Sequence, residues 1–470
     1  MSATPLPSLR PVQRLFIANR GEIALRILRA ARSLNLEVVI GVSEADRYTQ
    51  AARLADRAVC IGPAPALESY LNRNAIVQAA LGTGCDAIHP GYGFLSERAV
   101  FQRLCVENGI TFVGPTAEAI EAVGDKLAAR RIADTIGVPT VPGTDHVKSA
   151  DDALAFAERA GYPFLFKASA GGGGRGMRVV RKPDEVASAF NGASAEAGSA
   201  FGDSTLFIER YIERARHIEI QIIADAYGNI VHLGERDCST QRRHQKVIEE
   251  GPSPLLSEEK RQQMGEAAVK LMRHVGYRNA GTVEFILDMD TSDFYFLEVN
   301  TRIQVEHPVT EMITGTDLVA EQIRVAGGAS LSFTQEDVRI SGHAIECRIN
   351  AENPRKGFMP SPGRITRWQA PQGEGVRLDS HCEEGGMIPP YYDSMIGKLI
   401  VHGRDRAEAV ARMRAALSTF EIEGIQTTIP FHLAVLAHPD FLENRVTTRW
   451  TEETFIRQFM AAKAAPESAA

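Results

Sequence analysis

Two strand-like runs, residues 281–287 and 294–300, flank the polar stretch 288–293, and each carries a glutamate equally far from its middle. A hairpin centred on Thr291 sets Glu284 opposite Glu298, and side-chain alternation brings Asn300 to the same face. Two carboxylates held that way repel unless a cation bridges them. With an amide oxygen beside them, the set suits magnesium or manganese, hard ions already tied to phosphates. Exposed charges on a solvated sheet face are the alternative, weakened by the apolar residues around them.

Residues 163–180 form a strand-like run reaching Lys167 and Ala168, a loop with Gly171, Gly172, Gly173, Gly174 and Gly176, and a β-branched run. No Gly-Lys-Ser/Thr ending and no helix follow, so neither a P-loop nor a dinucleotide-binding context is met. Strand, glycine loop and strand let backbone N–H groups fold over nucleotide phosphates, with Lys167 as their point charge. A plain turn needs one or two glycines, and four in succession lose much conformational entropy on ordering, which favours the phosphate reading over a linker.

Residues 235–246 hold Arg236, Arg242, Arg243, Lys246 and His244 within twelve positions. The absence of interleaved aromatics speaks against a nucleic-acid patch and leaves a small-anion pocket ahead of a solvated charge run. Arg302, Gln304 and Glu306 then alternate along a segment expected to stay extended up to Pro308, lining one wall with a guanidinium and a possible base. A structural ion pair between Arg302 and Glu306 is the competing explanation.

Elements of three kinds must position these groups. The first 115 or so residues alternate β-branched runs with helical-period stretches: strands at 14–18, 37–42, 58–61, 86–88 and 110–113, and a helix from Glu22, as in a doubly wound α/β unit. A helix is expected from Glu118 through Lys126 to Ile136, followed by a strand-rich unit. A third unit opens at residues 342–350 and holds a final helix near 406–417, with an alanine-rich tail. No repeat of solenoid length is present.

The chain has 470 residues, 44% apolar and 24% charged, which fits several packed units and excludes a disordered or disulfide-scaffold chain. A net charge of −7 leaves no general footprint for nucleic acid or anionic membrane. Six scattered cysteines without a C-x-x-C pair, no signal-peptide pattern and no spanning apolar run imply a reducing, cytoplasmic protein with no membrane partner.

Residues 17–24 (IANRGEIA), 89–97 (HPGYGFLSE), the glycine loop, 241–246, 300–308 and 391–398 (YYDSMIGK) closely resemble signatures of the biotin carboxylase family of ATP-grasp enzymes. They occur in the family's order, and the match runs over about residues 15–441. The resemblance implies a multidomain α/β and α+β fold: a doubly wound α/β domain (1–125), an ATP-grasp domain (126–335) with a mobile lid at about 138–211, a C-terminal domain (336–455) and a flexible tail (456–470). It implies ATP, Mg2+ or Mn2+, bicarbonate, and biotin as a carrier-bound substrate.

Residue by residue, Lys126 and Lys167 match lysines on the nucleotide phosphates, and Gly173 and Gly174 match the flap amides. Glu209, Arg210, Tyr211 and Ile212 fall on the adenine segment, His217, Gln241 and His244 on the nucleotide side, and Glu284, Glu298 and Asn300 on the metal positions. The family's bicarbonate pocket maps to Lys246, Arg302, Gln304, Val305 and Glu306, with Glu306 as base. Arg348 matches the residue that stabilises the biotin enolate oxygen. Tyr92 and Phe94 match positions near the biotin ring, with a buried turn aromatic as a fair alternative for either.

Ala170 replaces a usual loop glycine and Arg210 a usual lysine, while Ser33 and Glu374 depart from residues at the family's homodimer contact, implying a weaker homodimer. No Met adjoins a Lys, so the Met-Lys-Met biotin-accepting site is absent, and so is a carboxyltransferase half. The expectation is a free-standing subunit that carboxylates biotin on a separate biotin carboxyl carrier protein and works with carboxyltransferase subunits. An acetyl-CoA carboxylase assembled from separate subunits is the expected setting, with pyruvate, 2-oxoglutarate and other acyl-CoA carboxylases as alternatives. Another ATP-grasp ligase is disfavoured by the combined residues 302–306 and Arg348, and a silent nucleotide-binding protein by the presence of Lys246, Arg302 and Glu306.

Overall fold

The computed structural model describes residues 10–169 and 177–461. The glycine loop with Gly173 and Gly174 therefore lies outside the described residues, as does the chain after Ala461. Strands β1 (Arg14–Ile17), β2 (Glu37–Ser43), β3 (Arg57–Gly62), β4 (Ala87–His89) and β5 (Thr111–Phe112) form a parallel sheet in the order β3-β2-β1-β4-β5. Alternation splits β1 between two cores: Leu15 and Ile17 pack with Ile23 and Ile27 of the helix Gly21–Ser33, while Phe16 faces Ile76 and Phe101 on the other side. Order and two-sided burial are those of a doubly wound α/β unit.

A smaller antiparallel sheet combines β6 (Gly143–Val147), β7 (Phe164–Ala168), β8 (Arg178–Val180) and β9 (Leu206–Arg210) in the order β6-β9-β7-β8. Phe164 pairs with Val180 and Phe166 with Arg178, so the two strands flanking the glycine loop are hairpin partners, as the sequence pattern predicts.

The site rests on an eight-stranded antiparallel sheet. Its strands are β10 (Ala215–Ala224), β11 (Ile230–Arg242), β12 (Gln245–Gly251), β13 (Asn279–Asp288), β14 (Phe294–Asn300), β15 (His343–Asn350), β16 (Val376–Ser380) and β17 (Met395–Gly403), in the order β14-β13-β10-β11-β12-β15-β17-β16. Period-two patterning gives it one apolar face. Ile218, Ile220 and Ile222 pack on Met264, Ala268 and Leu271 of the helix Glu258–His274, which Ser257 caps. Ile345, Cys347 and Ile349 pack on Ala409 and Met413 of the helix Arg406–Ser418. The intervening residues, among them Glu219, Gln221, Glu346 and Arg348, are thereby turned to the opposite face. Among the described residues no helix is long and apolar enough to cross a membrane.

Three expectations are corrected. The helix expected over 118–136 is two helices, Ala117–Gly124 and Lys126–Thr135, broken at extended Asp125, whose carboxylate accepts from Ala128 N–H at 2.8 Å and caps the second. The helix Arg406–Ser418 is not the last, because Ile429–Leu436, Pro439–Leu442 and Ile456–Ala461 follow. The tail expected from 456 is helical as far as Ala461 and anchored by buried Phe459 against Phe431 and Phe455.

Candidate active site

In the β13–β14 hairpin Glu284 stands opposite Glu298, as predicted, although the pairing is not symmetric about Thr291. Near the turn Phe285 faces Phe296, and a bulge at Leu297 restores the Glu284–Glu298 register. The Asn300 amide donates to Glu284 at 2.6 Å, so all three predicted metal positions share one neighbourhood. Cations of the chain already answer these carboxylates: Lys126 lies 2.6 Å from Glu298, and Lys246 and His217 each lie 3.1 Å from Glu284. Paired carboxylates and an amide oxygen make a hard-oxygen donor set that fits Mg2+ or Mn2+.

His217, Glu219 and Gln221 alternate with the isoleucines of β10 and line this face. The His217 ring lies 3.0 Å from Glu219 and from the Gln241 amide. Burial opposes its charge, but Glu284 and the contact with Glu219 prevail and push its pKa up to about 10. Lys246 is held between Glu219, Glu284 at 3.1 Å and Glu306 at 2.7 Å. Burial disfavours its charge, yet these anions, Glu219 first, keep it well above the ordinary lysine range.

The run 235–246 is divided rather than pooled as one anion pocket. Arg236 is fully buried and donates to Gln221, Thr310 and Gln304 at 2.8, 2.8 and 2.6 Å, with Glu219 at 3.2 Å. Arg242 lies over the Phe358 ring at 4.0 Å, and Arg243 and His244 make the turn with positive φ. Of the four permanent cations, Lys246 and Arg236 reach the carboxylate cluster, Lys246 through Glu219, Glu284 and Glu306 and Arg236 through Glu219. The segment 301–306 is likewise not extended to its end: Glu306 turns into the helix His307–Thr314, where Pro308 sits in a first turn that does not need its N–H.

Arg302, Gln304, Val305 and Glu306 nevertheless line one cavity of about 720 Å³ with Tyr92, Phe94, His244, Lys246 and Arg348. Arg302 lies 3.2 Å from Glu97 and 3.0 Å from the Asn300 amide oxygen, and Gln304 donates to Glu284 at 3.1 Å. Arg348 reaches Glu249 at 2.6 Å and Glu306 at 2.9 Å. Burial raises the Glu306 pKa, but Lys246, then Arg348 and Arg236, outweigh it and the repulsion from Glu219, leaving the carboxylate below its ordinary value and ionised. The Tyr92 hydroxyl donates to Glu22, and Phe94 stacks on Tyr70 at 5.2 Å.

The remaining predicted residues lie on or beside the smaller sheet. Lys167 pairs with Glu209 at 2.8 Å, which Arg130 also reaches at 3.0 Å, and Arg210 lies 3.3 Å from Asp288. Tyr211 lies beneath Arg449 at 5.0 Å, and Ile212 is buried with Val141 and Ala215. Sequence reasoning overlooked Glu22, Glu219, Glu249, Glu346 and Lys398. Strict alternation in His217-Ile218-Glu219-Ile220-Gln221-Ile222 and Ile345-Glu346-Cys347-Arg348-Ile349 was the available signal for two of them.

Family models for known proteins match the chain in three successive stretches. "Biotin carboxylase, N-terminal domain" matches residues 11–120, "Carbamoyl-phosphate synthase L chain, ATP binding domain" residues 125–334, and "Biotin carboxylase C-terminal domain" residues 346–453. Biotin carboxylase 1 of Bacillus subtilis is 56% identical over 442 residues, 94% of this chain and 98% of the relative. A pyruvate carboxylase subunit of Methanothermobacter thermautotrophicus is 53% identical over 94% of this chain and 89% of its own. The biotin carboxylase domain dimer of Hydrogenobacter thermophilus 2-oxoglutarate carboxylase, solved with MgADP, ADP and bicarbonate, superposes with a TM-score of 0.88 at 47% identity, covering 97% of this chain and 100% of that one. With a continuous match at this identity and a charged cavity where its signature segments meet, the chain belongs to the biotin carboxylase family.

Proposed function

We propose that the protein carboxylates the N1′ ureido nitrogen of biotin on a separate carrier protein, using ATP and bicarbonate, as the first half-reaction of an acetyl-CoA carboxylase assembled from separate subunits. The observation that carries this reading is the cavity in which Lys246, Arg302, Glu306 and Arg348 converge. Lys246 and Arg302 supply positive charge for bicarbonate, and ionised Glu306 is placed to accept its proton. An incoming anion that draws Lys246 toward itself weakens the field on Glu306 and makes that carboxylate a better base just as it is needed.

The bicarbonate oxygen then attacks the γ-phosphorus of ATP, and ADP leaves with the bridging oxygen, giving carboxyphosphate. Carboxyphosphate breaks to carbon dioxide and phosphate, phosphate takes the N1′ proton, and N1′ attacks carbon dioxide. Arg348 is the cation placed for the enolate-like ureido oxygen of that step. Glu284, Glu298 and Asn300 would hold Mg2+ or Mn2+, whose charge offsets that of the nucleotide phosphates. Lys126 and Lys167 serve the same phosphates, Glu209 to Ile212, His217, Gln241 and His244 the rest of the nucleotide, and Tyr92 and Phe94 the biotin ring. Closure of the lid keeps water from the intermediate.

Carrier protein, carboxyltransferase subunits and a second copy of the chain are the proposed partners. The kinship with pyruvate and 2-oxoglutarate carboxylase components favours a second reading, in which the same half-reaction serves one of those acceptors. Phosphate release from MgATP, with bicarbonate and free biotin added and omitted in turn, tests the reaction. Release stimulated by biotin with carboxybiotin formed supports it, and bicarbonate-dependent release indifferent to biotin overturns it.

A further inference from the structure

Beneath the Arg348 end of the cavity lies a charge grid that the mechanism above does not use. Glu249 of β12 stands directly opposite Glu346 of β15, and Lys398 of β17 directly opposite Arg348. Carboxylates paired across strands in a buried layer repel each other. Arg348 divides itself between Glu249 at 2.6 Å and Glu306 at 2.9 Å. Lys398 gives its ammonium to the Val305 carbonyl at 2.7 Å and to Glu22 at 3.2 Å. Glu346 is left 0% exposed with neither oxygen accepting a hydrogen bond, and the second oxygen of Glu249 also has no partner among the described residues. Four carboxylates, Glu22, Glu249, Glu306 and Glu346, share Arg348, Lys398, one contact of Lys246, which also serves Glu219 and Glu284, and the field of Arg236, whose hydrogen bonds go to Glu219, Gln221, Gln304 and Thr310. The layer holds more anions than cations.

The other titratable groups packed around it do not close that gap. Tyr92 donates to Glu22, and Asp379 of β16 is held by both arms of Arg377 at 2.9 and 2.7 Å. His307, at the start of its helix, is kept neutral by burial and by Lys398, Arg26 and Arg377.

We propose that the Glu249–Glu346 pair keeps one proton in the folded protein, carried by Glu346, which makes Glu346 a positioning residue for Arg348. An ionised Glu346, two residues along the strand on the same face, would draw the guanidinium down into the sheet. A neutral one leaves it directed to the cavity with charge to spare. Electrostatics point the same way: burial, opposed by Arg348, pushes Glu249 up to about 7, and burial, with Glu249 opposing Lys398, pushes Glu346 well above the carboxylate range. The consequence for Arg348 rests on the function proposed above, whereas the protonation does not.

Infrared spectroscopy of the whole chain reads the proton directly. The carbonyl stretch of a buried carboxylic acid is expected in the wild-type protein at neutral pH and is expected to weaken in Glu346→Gln, which keeps shape and neutrality. Biotin-stimulated phosphate release in Glu346→Gln should stay within about threefold of wild type at neutral pH. It should also lack the alkaline fall in kcat expected of the wild type as Glu346 ionises. No such band in the wild type, or a band unchanged by Glu346→Gln, overturns the assignment. So does a loss of more than about tenfold in turnover by folded Glu346→Gln, since the side chain would then be needed as an anion. Should that variant fail to fold, Glu249→Gln removes the neighbouring charge and should lower the pH at which the band disappears, and an unmoved band overturns the proposal. A chain without biotin-dependent phosphate release still yields the infrared result, so failure of the functional reading is told apart from failure of this one.

Discussion

The Glu306 carboxylate lies 2.9 Å from the Arg348 guanidinium through one oxygen, while its other oxygen lies 2.7 Å from Lys246. The proposed base and the proposed oxyanion partner are thus ion-paired to each other before any ligand arrives. Glu306→Gln should lower bicarbonate-dependent phosphate release by about 100-fold or more with unchanged circular dichroism, since a neutral amide cannot take the proton. A loss below about fivefold would remove Glu306 from the role of base.

Arg348→Ala should divide two activities. Carboxybiotin formation should fall by at least about 100-fold, the usual cost of removing one oxyanion partner, while biotin-independent ATP cleavage should fall far less. Both rates measured on the same preparation decide it, and equal losses would remove the enolate role.

Glu284→Gln is expected to weaken the apparent affinity for Mg2+ in the phosphate-release assay by about tenfold or more, because one of two anionic ligands is lost. Glu298→Gln should do the same. An unchanged metal titration in both would mean that the hairpin pairs these residues without using them for metal.

Lys398 is 0% exposed and serves both Glu22 and the Val305 carbonyl. Lys398→Met strands a buried carboxylate, a change that costs about 3–5 kcal/mol. Thermal melts should show a large drop for the single variant and partial recovery on adding Glu22→Gln. Additive losses would show that the two residues act separately.

Glu250 accepts from Arg406 at 2.6 Å and lies 2.9 Å from His343. Burial raises its pKa, but His343 and Arg406 prevail and lower it to about 2 from the ordinary 4.5. Because the folded value is the lower one, this carboxylate stabilises the protein fully above about pH 4.5 and ceases to do so as pH falls through about 2, a contribution of about 3 kcal/mol. Acid unfolding should therefore be less steep in Glu250→Gln, with lower stability at neutral pH, as followed by urea titration across that window.

Much of the site was legible because it follows local rules. The parity of Glu284, Glu298 and Asn300 about a short turn predicts their common face, and Leu297 alone absorbs the asymmetry. Alternation along β1 and β10 marks which residues go inward. Glu22 and Lys398 were not legible as partners, since 376 positions separate them and only the sheet order and the docked helix Gly21–Ser33 bring them within 3.2 Å. The break at Asp125 lay hidden in an unbroken helical period, because a capping aspartate is also an ordinary surface residue until its N–H partner is known.

The unbroken eight-stranded sheet makes its two halves unsuited to exchange as parts. Four residue pairs, from Ile248 with Cys347 to Gly251 with Ala344, weld the strand ending the carboxylate half to the strand opening the Arg348 half. A fragment ending at residue 335 would carry β12 as a naked edge, ready to recruit any passing strand. Inheritance by shuffling must therefore take this sheet whole, and variation in what the protein serves is left to the surfaces around it.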